Sequence, residues 1–102
     1  GWMVPLRPGY TMADFAAQLG WPVVIVARNR LGVLNHVLLT ADSIRNFGLE
    51  LAGVILNDAE AASDEATKTN ARILEETLGK PLLLHVPHKA KEVPLPVNFL
   101  RR

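Results

Sequence analysis

The stretch Pro22-Val23-Val24-Ile25-Val26-Ala27 is short, unbroken and rich in β-branched residues, the pattern of a strand buried on both faces. Two more runs follow it. Leu51-Ala52-Gly53-Val54-Ile55-Leu56-Asn57 repeats the pattern, and Leu82-Leu83-Leu84-His85-Val86-Pro87 gives a weaker version. Periodicity alone does not separate such runs from buried helix. Their length and their Gly, Pro and Asn boundaries favour strand.

Between the runs the apolar period becomes helical. Leu34, Val37, Leu38, Ala41 and Ile44 fall at i, i+3, i+4, i+7 and i+10, while Asp42, Arg45 and Asn46 face the other way. Gly48 follows where a left-handed residue would end that helix. A further helix is expected from about Ser63, with Ala66, Asn70, Ile73, Leu74 and Leu78 on its inner stripe and Gly79 at its end. Upstream, Met12 to Leu19 reads as a short helix, opened by the capping-box pair Thr11 and Asp14 and closed by Gly20. Gly1 to Tyr10 and Lys89 to Arg102 are rich in proline and read as loop, and Pro94 and Pro96 disfavour a helix in the tail. The order helix, strand, helix, strand, helix, strand predicts an α/β fold with a parallel sheet and right-handed crossovers. Residues 1–102 are read as one α/β segment with an irregular tail over 89–102.

Length and composition bound what such a segment does. A chain of 102 residues buries only about 60–65% of its unfolded surface. A sheet that needs helices on both faces is therefore expected to lean on a partner or a further segment. Eleven basic and ten acidic side chains leave a net charge of +1, which argues against a charge-driven nucleic-acid binder. A hydrophobic fraction of 49% with 21% charged residues belongs to a folding chain. The lack of cysteine excludes disulfides, thiolate metal sites and a cysteine nucleophile. No apolar run reaches the ~18 residues of a membrane span, and no charged start followed by an apolar stretch marks a secretory signal. The expected location is cytoplasmic.

In parallel α/β sheets ligands bind beyond the carboxyl ends of the strands, so three segments are the candidates. Arg28 to His36 joins the first strand to its helix. Gly32 there permits close backbone approach, and the helix start behind it suits a carboxylate or phosphate. The commoner use of such a sequence is a plain strand-to-helix turn with Asn35 as cap. Asn57-Asp58 ends the second strand. An amide that donates and accepts suits the N6 and N7 edge of adenine, although Asn and Asp are also ordinary turn residues. Val86-Pro87-His88 ends the third strand, where backbone groups beside the rigid proline clasp a planar base or merely stop the strand. His85 and His88 point to opposite faces of a strand, which makes a zinc site improbable. The sequence contains no G-x-x-x-x-G-K-[ST] loop, no G-x-G-x-x-G and no hydrolase nucleophile elbow. No catalytic residue and no metal ligand is assigned.

Taken in order, several of these pieces resemble the C-terminal half of dethiobiotin synthetase. They are Gly1-Trp2-Met3-Val4-Pro5-Leu6, Thr11-Met12-Ala13-Asp14, Pro22-Val23-Val24-Ile25-Val26, Leu31-Gly32-Val33-Leu34-Asn35-His36 with Leu39-Thr40, Leu51 to Asp58, and Val86-Pro87. The resemblance implies a three-layer, P-loop NTPase-like (Rossmann-like) fold and a homodimer. It also implies an ATP- and magnesium-dependent ligase of biotin biosynthesis. That enzyme closes the ureido ring of dethiobiotin from 7,8-diaminononanoate and carbon dioxide; the carbamate forms, is phosphorylated and then cyclises. Carried over residue by residue, the adenine contact falls on Asn57, with Asp58 beside it and Val86, Pro87 and His88 lining the base. The substrate-tail loop falls on Leu31, Gly32 and Asn35. The family's phosphate loop, catalytic lysines and first magnesium ligands have no counterpart in this sequence. Its Glu-Gly-Ala-Gly-Gly loop would end at Gly1, so that glutamate is not here. His88 stands where the family often has an aromatic residue, and the tyrosine that some members place on the third helix to contact substrate has no counterpart here, Thr69 or Asn70 being near that position. The chain alone is thus expected to be inactive, with no nucleic-acid or membrane partner. Two rival readings share the scaffold: a non-catalytic dimerisation or regulatory module, and an amidoligase of the cobyric acid synthase kind. The latter group lacks the Leu-Gly-x-x-Asn-His turn.

Overall fold

The computed structural model describes residues 1–58, 65–79 and 83–89. In chain order the elements are strands β1 (Pro5–Arg7) and β2 (Tyr10–Thr11), helix α1 (Met12–Leu19), strand β3 (Val23–Arg28), helix α2 (Val33–Asn46), strand β4 (Leu51–Asn57), helix α3 (Glu65–Leu78) and strand β5 (Leu83–Val86). The expected start of the third helix near Ser63, the side chain of Ala66, Leu82 and the tail from residue 90 lie outside the described residues.

The opening segment is a correction. Gly1 to Tyr10 reads as loop, yet β1 and β2 pair there as a small antiparallel hairpin. Proline is tolerated at such a strand start, where its missing N–H breaks no central ladder. Gly9 turns the hairpin at φ 75°, and the Arg7 guanidinium lies 4.5 Å from the Tyr10 ring centroid. Trp2 fastens this segment to α2: its indole N–H donates to Ser43 Oγ at 2.9 Å, and its ring meets Phe47 edge-on at 6.0 Å.

α1 forms as its sequence dictates. The Thr11 hydroxyl accepts from the Asp14 N–H at 3.2 Å, and Asp14 Oδ2 accepts from the Thr11 N–H at 2.8 Å. Two helix-start donors are thereby satisfied. In α2 the buried residues are Val33, Val37, Ala41 and Ile44, with Leu34 and Leu38 half-buried beside them. The inner stripe therefore starts one residue earlier than the period read from Leu34.

β3, β4 and β5 form a parallel sheet in that order, with Ile25 level with Val54, Ala27 with Leu56, and Leu56 with His85. Both crossovers step the same way across the sheet. Right-handed connections then put α2 and α3 on one face. The α2 stripe, Val54 and Leu56 of β4 and Leu74 of α3 form the core there, and Ile25 and Ala27 pack against it. The alternate residues of β3 point the other way, and Val26 is 69% exposed. No helix among the described residues covers that second face. An open cavity of about 270 Å³ runs beside β3, lined by Trp2, Ile25, Ala27, Val33 and Val37 with Arg28 and His36 at one end.

The two faces of the sheet carry different weights in stability. Leu56→Ala opens a void in a site with no solvent exposure and is expected to cost about 2–5 kcal/mol. Val26→Ser changes a residue in contact with solvent and is expected to change stability by less than about 0.5 kcal/mol in the isolated chain. Urea denaturation of the two variants checks the contrast.

Candidate functional site

The three parallel strands end level with one another, and the ladder runs one step past them. The Asn29 N–H donates to the Asn57 carbonyl at 2.8 Å, and the Asp58 N–H donates to the Val86 carbonyl at 2.9 Å. The peptide groups around Asn57 are thus held from both neighbouring strands.

Alternation along a strand sends Asn57 and Asp58 to opposite faces. Asp58 turns toward the helix side. Its Oδ1 accepts from Asn29 Nδ2 at 2.6 Å, and its Oδ2 lies 2.9 Å from His85 Nε2. Asn29 is 7% exposed and Asn70 3% exposed. Asn29 Nδ2 also donates to the Thr67 carbonyl at 2.9 Å. Asn70 Nδ2 donates to Asn29 Oδ1 and to the Arg30 carbonyl, both at 3.0 Å. A polar chain therefore links the ends of β3, β4 and β5 to α3. No buried side-chain nitrogen or oxygen among the described residues is left without a partner, as buried polar groups require.

Asn57 differs. It is half-buried, level with Arg28 of β3 and Val86 of β5, on the sheet face that no helix among the described residues covers. Its side chain makes no hydrogen bond with the described residues. Val86 is half-buried beside it, and Pro87 and His88 are exposed. The strand end thus presents one uncommitted amide next to a proline-stiffened edge.

The Leu31 to Asn35 turn stands apart from this group. Leu31 is 80% exposed, and Gly32 occupies the N-cap of α2 at φ 95°, a conformation that favours glycine. Asn35 is the third residue of α2 and does not cap it; no side chain does. The first turn of α2 therefore presents backbone N–H groups with the positive end of the helix dipole. His36 is exposed in that same turn. Among the described residues no group of three or more His, Asp or Glu side chains is placed to hold a metal ion, and no helix is long and apolar enough to cross a membrane.

Sequence reading nominates Asn57, Asp58 and the Val86–His88 edge, and it does not reveal the hydrogen bonds of Asn29, Asn70 and His85. One signal was present. Asn70 interrupts an apolar helical stripe that includes Leu74, and an amide buried on such a stripe needs partners.

The family model described as AAA domain matches residues 1–94. The chain is 40% identical to the ATP-dependent dethiobiotin synthetase BioD of Akkermansia muciniphila over 86% of its length and 41% of that protein. It is 39% identical to the Bacillus subtilis protein of the same name over 88% of its length and 39% of that protein. The Pseudomonas paraeruginosa protein, again so named, is 41% identical over 95% of this chain and 42% of its own length. The chain thus spans about two fifths of the length of these relatives.

The polar chain carries stability as well as geometry. Asn70→Ala strands Asn29 Oδ1 and the Arg30 carbonyl and is expected to cost about 1–3 kcal/mol. Arg72→Ala, on the same helix, removes a pair with Glu76 in which both side chains are 64% exposed, and is expected to change little. Chemical denaturation of both variants checks the difference.

Proposed function

Because the chain belongs to the AAA domain family and is similar over most of its length to ATP-dependent dethiobiotin synthetases, we propose that it forms the base-binding and substrate-tail portion of such a ligase. The full enzyme would close the ureido ring of dethiobiotin from 7,8-diaminononanoate and carbon dioxide. The observation that carries the reading is the Asn57 amide. It stands at the carboxyl end of the central strand, where ligands of such sheets bind, and unlike the Asn29 and Asn70 amides it makes no hydrogen bond with the described residues.

In this reading the Asn57 amide donates to and accepts from one edge of adenine. Val86, Pro87 and His88 flank the base. Asp58 frames the site from beneath rather than touching the nucleotide, because both its oxygens are engaged by Asn29 and His85. The Leu31–Asn35 turn receives the carboxylate tail of the substrate on the uncapped N–H groups of α2. ATP supplies the phosphoryl group that activates the carbamate. Among the described residues no cluster of carboxylates is placed to hold magnesium. Magnesium and the phosphates are therefore assigned to the rest of a full-length enzyme, and the isolated chain should release no phosphate from ATP. Magnesium-dependent release above background by the purified chain would overturn that assignment.

The outer side of α2 is proposed as the two-fold interface. Leu39 is 62% exposed and Leu31 80% exposed. An open groove of about 440 Å³ between α2 and α3 is lined by Leu38, Leu39, Asn35 and Arg45. A charge buried in an apolar interface is costly, so Leu39→Asp in the full-length protein is expected to convert a dimer to a monomer in sedimentation. An unchanged dimer would remove α2 from the interface.

Asn57 provides the decisive test. In the full-length protein, Asn57→Ala is expected to weaken ATP binding by about tenfold or more, the equivalent of losing one buried polar contact. Affinity for the diamine should hardly change. Calorimetric titration with each ligand reads both values, and equal ATP affinities would take Asn57 out of the site.

A further inference from the structure

We propose that Asn29 is a positioning residue for Asn57: it fixes where β4 delivers the Asn57 amide, and so sets nucleotide affinity without touching the nucleotide. The inference rests on the reading of Asn57 as the base contact. Asn29 stands one residue past β3 and reaches Asn57 in two ways. Its backbone N–H holds the Asn57 carbonyl at 2.8 Å. Its side chain holds the next residue, with Nδ2 2.6 Å from Asp58 Oδ1. The other Asp58 oxygen meets His85, and the Asp58 N–H meets Val86. The peptide that follows Asn57 is therefore tied to β3 on one side and to β5 on the other. The Asn57 side chain, by contrast, makes no hydrogen bond with the described residues. Such support lowers the ordering cost of binding, because the recognising group is already in place.

The chemistry of the position calls for an amide. Asn29 uses both donors, to Asp58 and to the Thr67 carbonyl, and its oxygen accepts from Asn70. With 7% exposure and both polar side-chain atoms committed, its side chain has nothing left to offer a ligand. An aspartate in its place would keep the shape but set two carboxylates against each other. Exchanging the pair, Asn29→Asp with Asp58→Asn, restores one hydrogen bond with donor and acceptor reversed. The carboxylate now on the β3 side would accept from the amide now on the β4 side and from Asn70. The oxygen of that exchanged amide would face the His85 Nε2–H. The Thr67 carbonyl would lose its donor and face a carboxylate oxygen instead, so recovery would be incomplete.

The test uses the full-length protein and reads ATP and diamine affinities by calorimetry, with circular dichroism to confirm folding. Asn29→Asp is expected to weaken ATP binding about tenfold or more, with diamine affinity within about twofold of wild type. The exchanged pair is expected to recover most of the lost ATP affinity. It decides the matter even where Asn29→Asp alone does not fold, since a folded exchanged protein that fails to bind ATP would overturn the inference. Wild-type ATP affinity in Asn29→Asp would do the same, as would an equal loss of both ligands. Wild-type protein that binds no ATP, or Asn57→Ala that binds it normally, would sink the reading of Asn57 and this inference with it. An effect of Asn57→Ala without one of Asn29→Asp would sink this inference alone.

Discussion

β4 is the element on which the rest of the fold is assembled. It pairs with a neighbour along each edge, so its backbone groups are satisfied by strands that lie far away in sequence. Val54 and Leu56 have no solvent exposure, because α2 and α3 both close over the same side of it. That one-sided closure follows from direction. Two right-handed crossovers moving the same way across a sheet cannot place their helices on different faces. The second face keeps its apolar residues without a covering layer among the described residues, and Val26 shows this most openly. The matched relatives have more than half of their length outside the match, which is chain enough to supply such a layer.

The elements held together by local chemistry were legible in the sequence. The Thr11–Asp14 box operates within one helical turn, so α1 occupies the bounds its residues announce. The bounds of β4 likewise match its apolar run. β3 is displaced by one residue. Its pairing begins at Val23 and continues to Arg28, which lies level with Asn57, and that partner was not visible from β3 alone. The hairpin of β1 and β2 was hidden by its prolines. The segment before it is held on α2 by the contacts of Trp2 with Ser43 and Phe47.

The candidate site was legible at the level of strand ends and no further. Position along a parallel strand is enough to nominate Asn57, Asp58 and the Val86–His88 edge. It says nothing about which of them the fold itself consumes. The contacts that decide this join Asn29 to Asp58 and Asn70 to Asn29, across two crossovers. They come into being only when the topology brings three strand ends and α3 together. Asn35 shows the reverse error of local reading: it has the chemistry of a cap but stands inside the helix, and Gly32 takes the cap position because the chain needs a left-handed turn there.

Asn57 and Asp58 divide their duties by the simplest rule of strand geometry. Consecutive side chains alternate between faces, so a single dipeptide reaches both sides of the sheet end. The residue on the helix side finds polar partners in buried Asn29 and exposed His85, and its carboxylate is drawn to them because an unpartnered charge there would be costly. The residue on the other side meets neither helix nor hydrogen-bond partner among the described residues. A one-residue slip of β4 would exchange these environments, placing the amide under α3 and the carboxylate on the open face. The contacts that prevent the slip are the ones past the strand ends, where Asn29 holds the Asn57 carbonyl and Val86 holds the Asp58 N–H. Register and the placement of the Asn57 amide therefore depend on the same few hydrogen bonds. A change that loosens them acts on the available amide before it acts on the core, since Val54 and Leu56 are held by packing from two helices and not by these bonds.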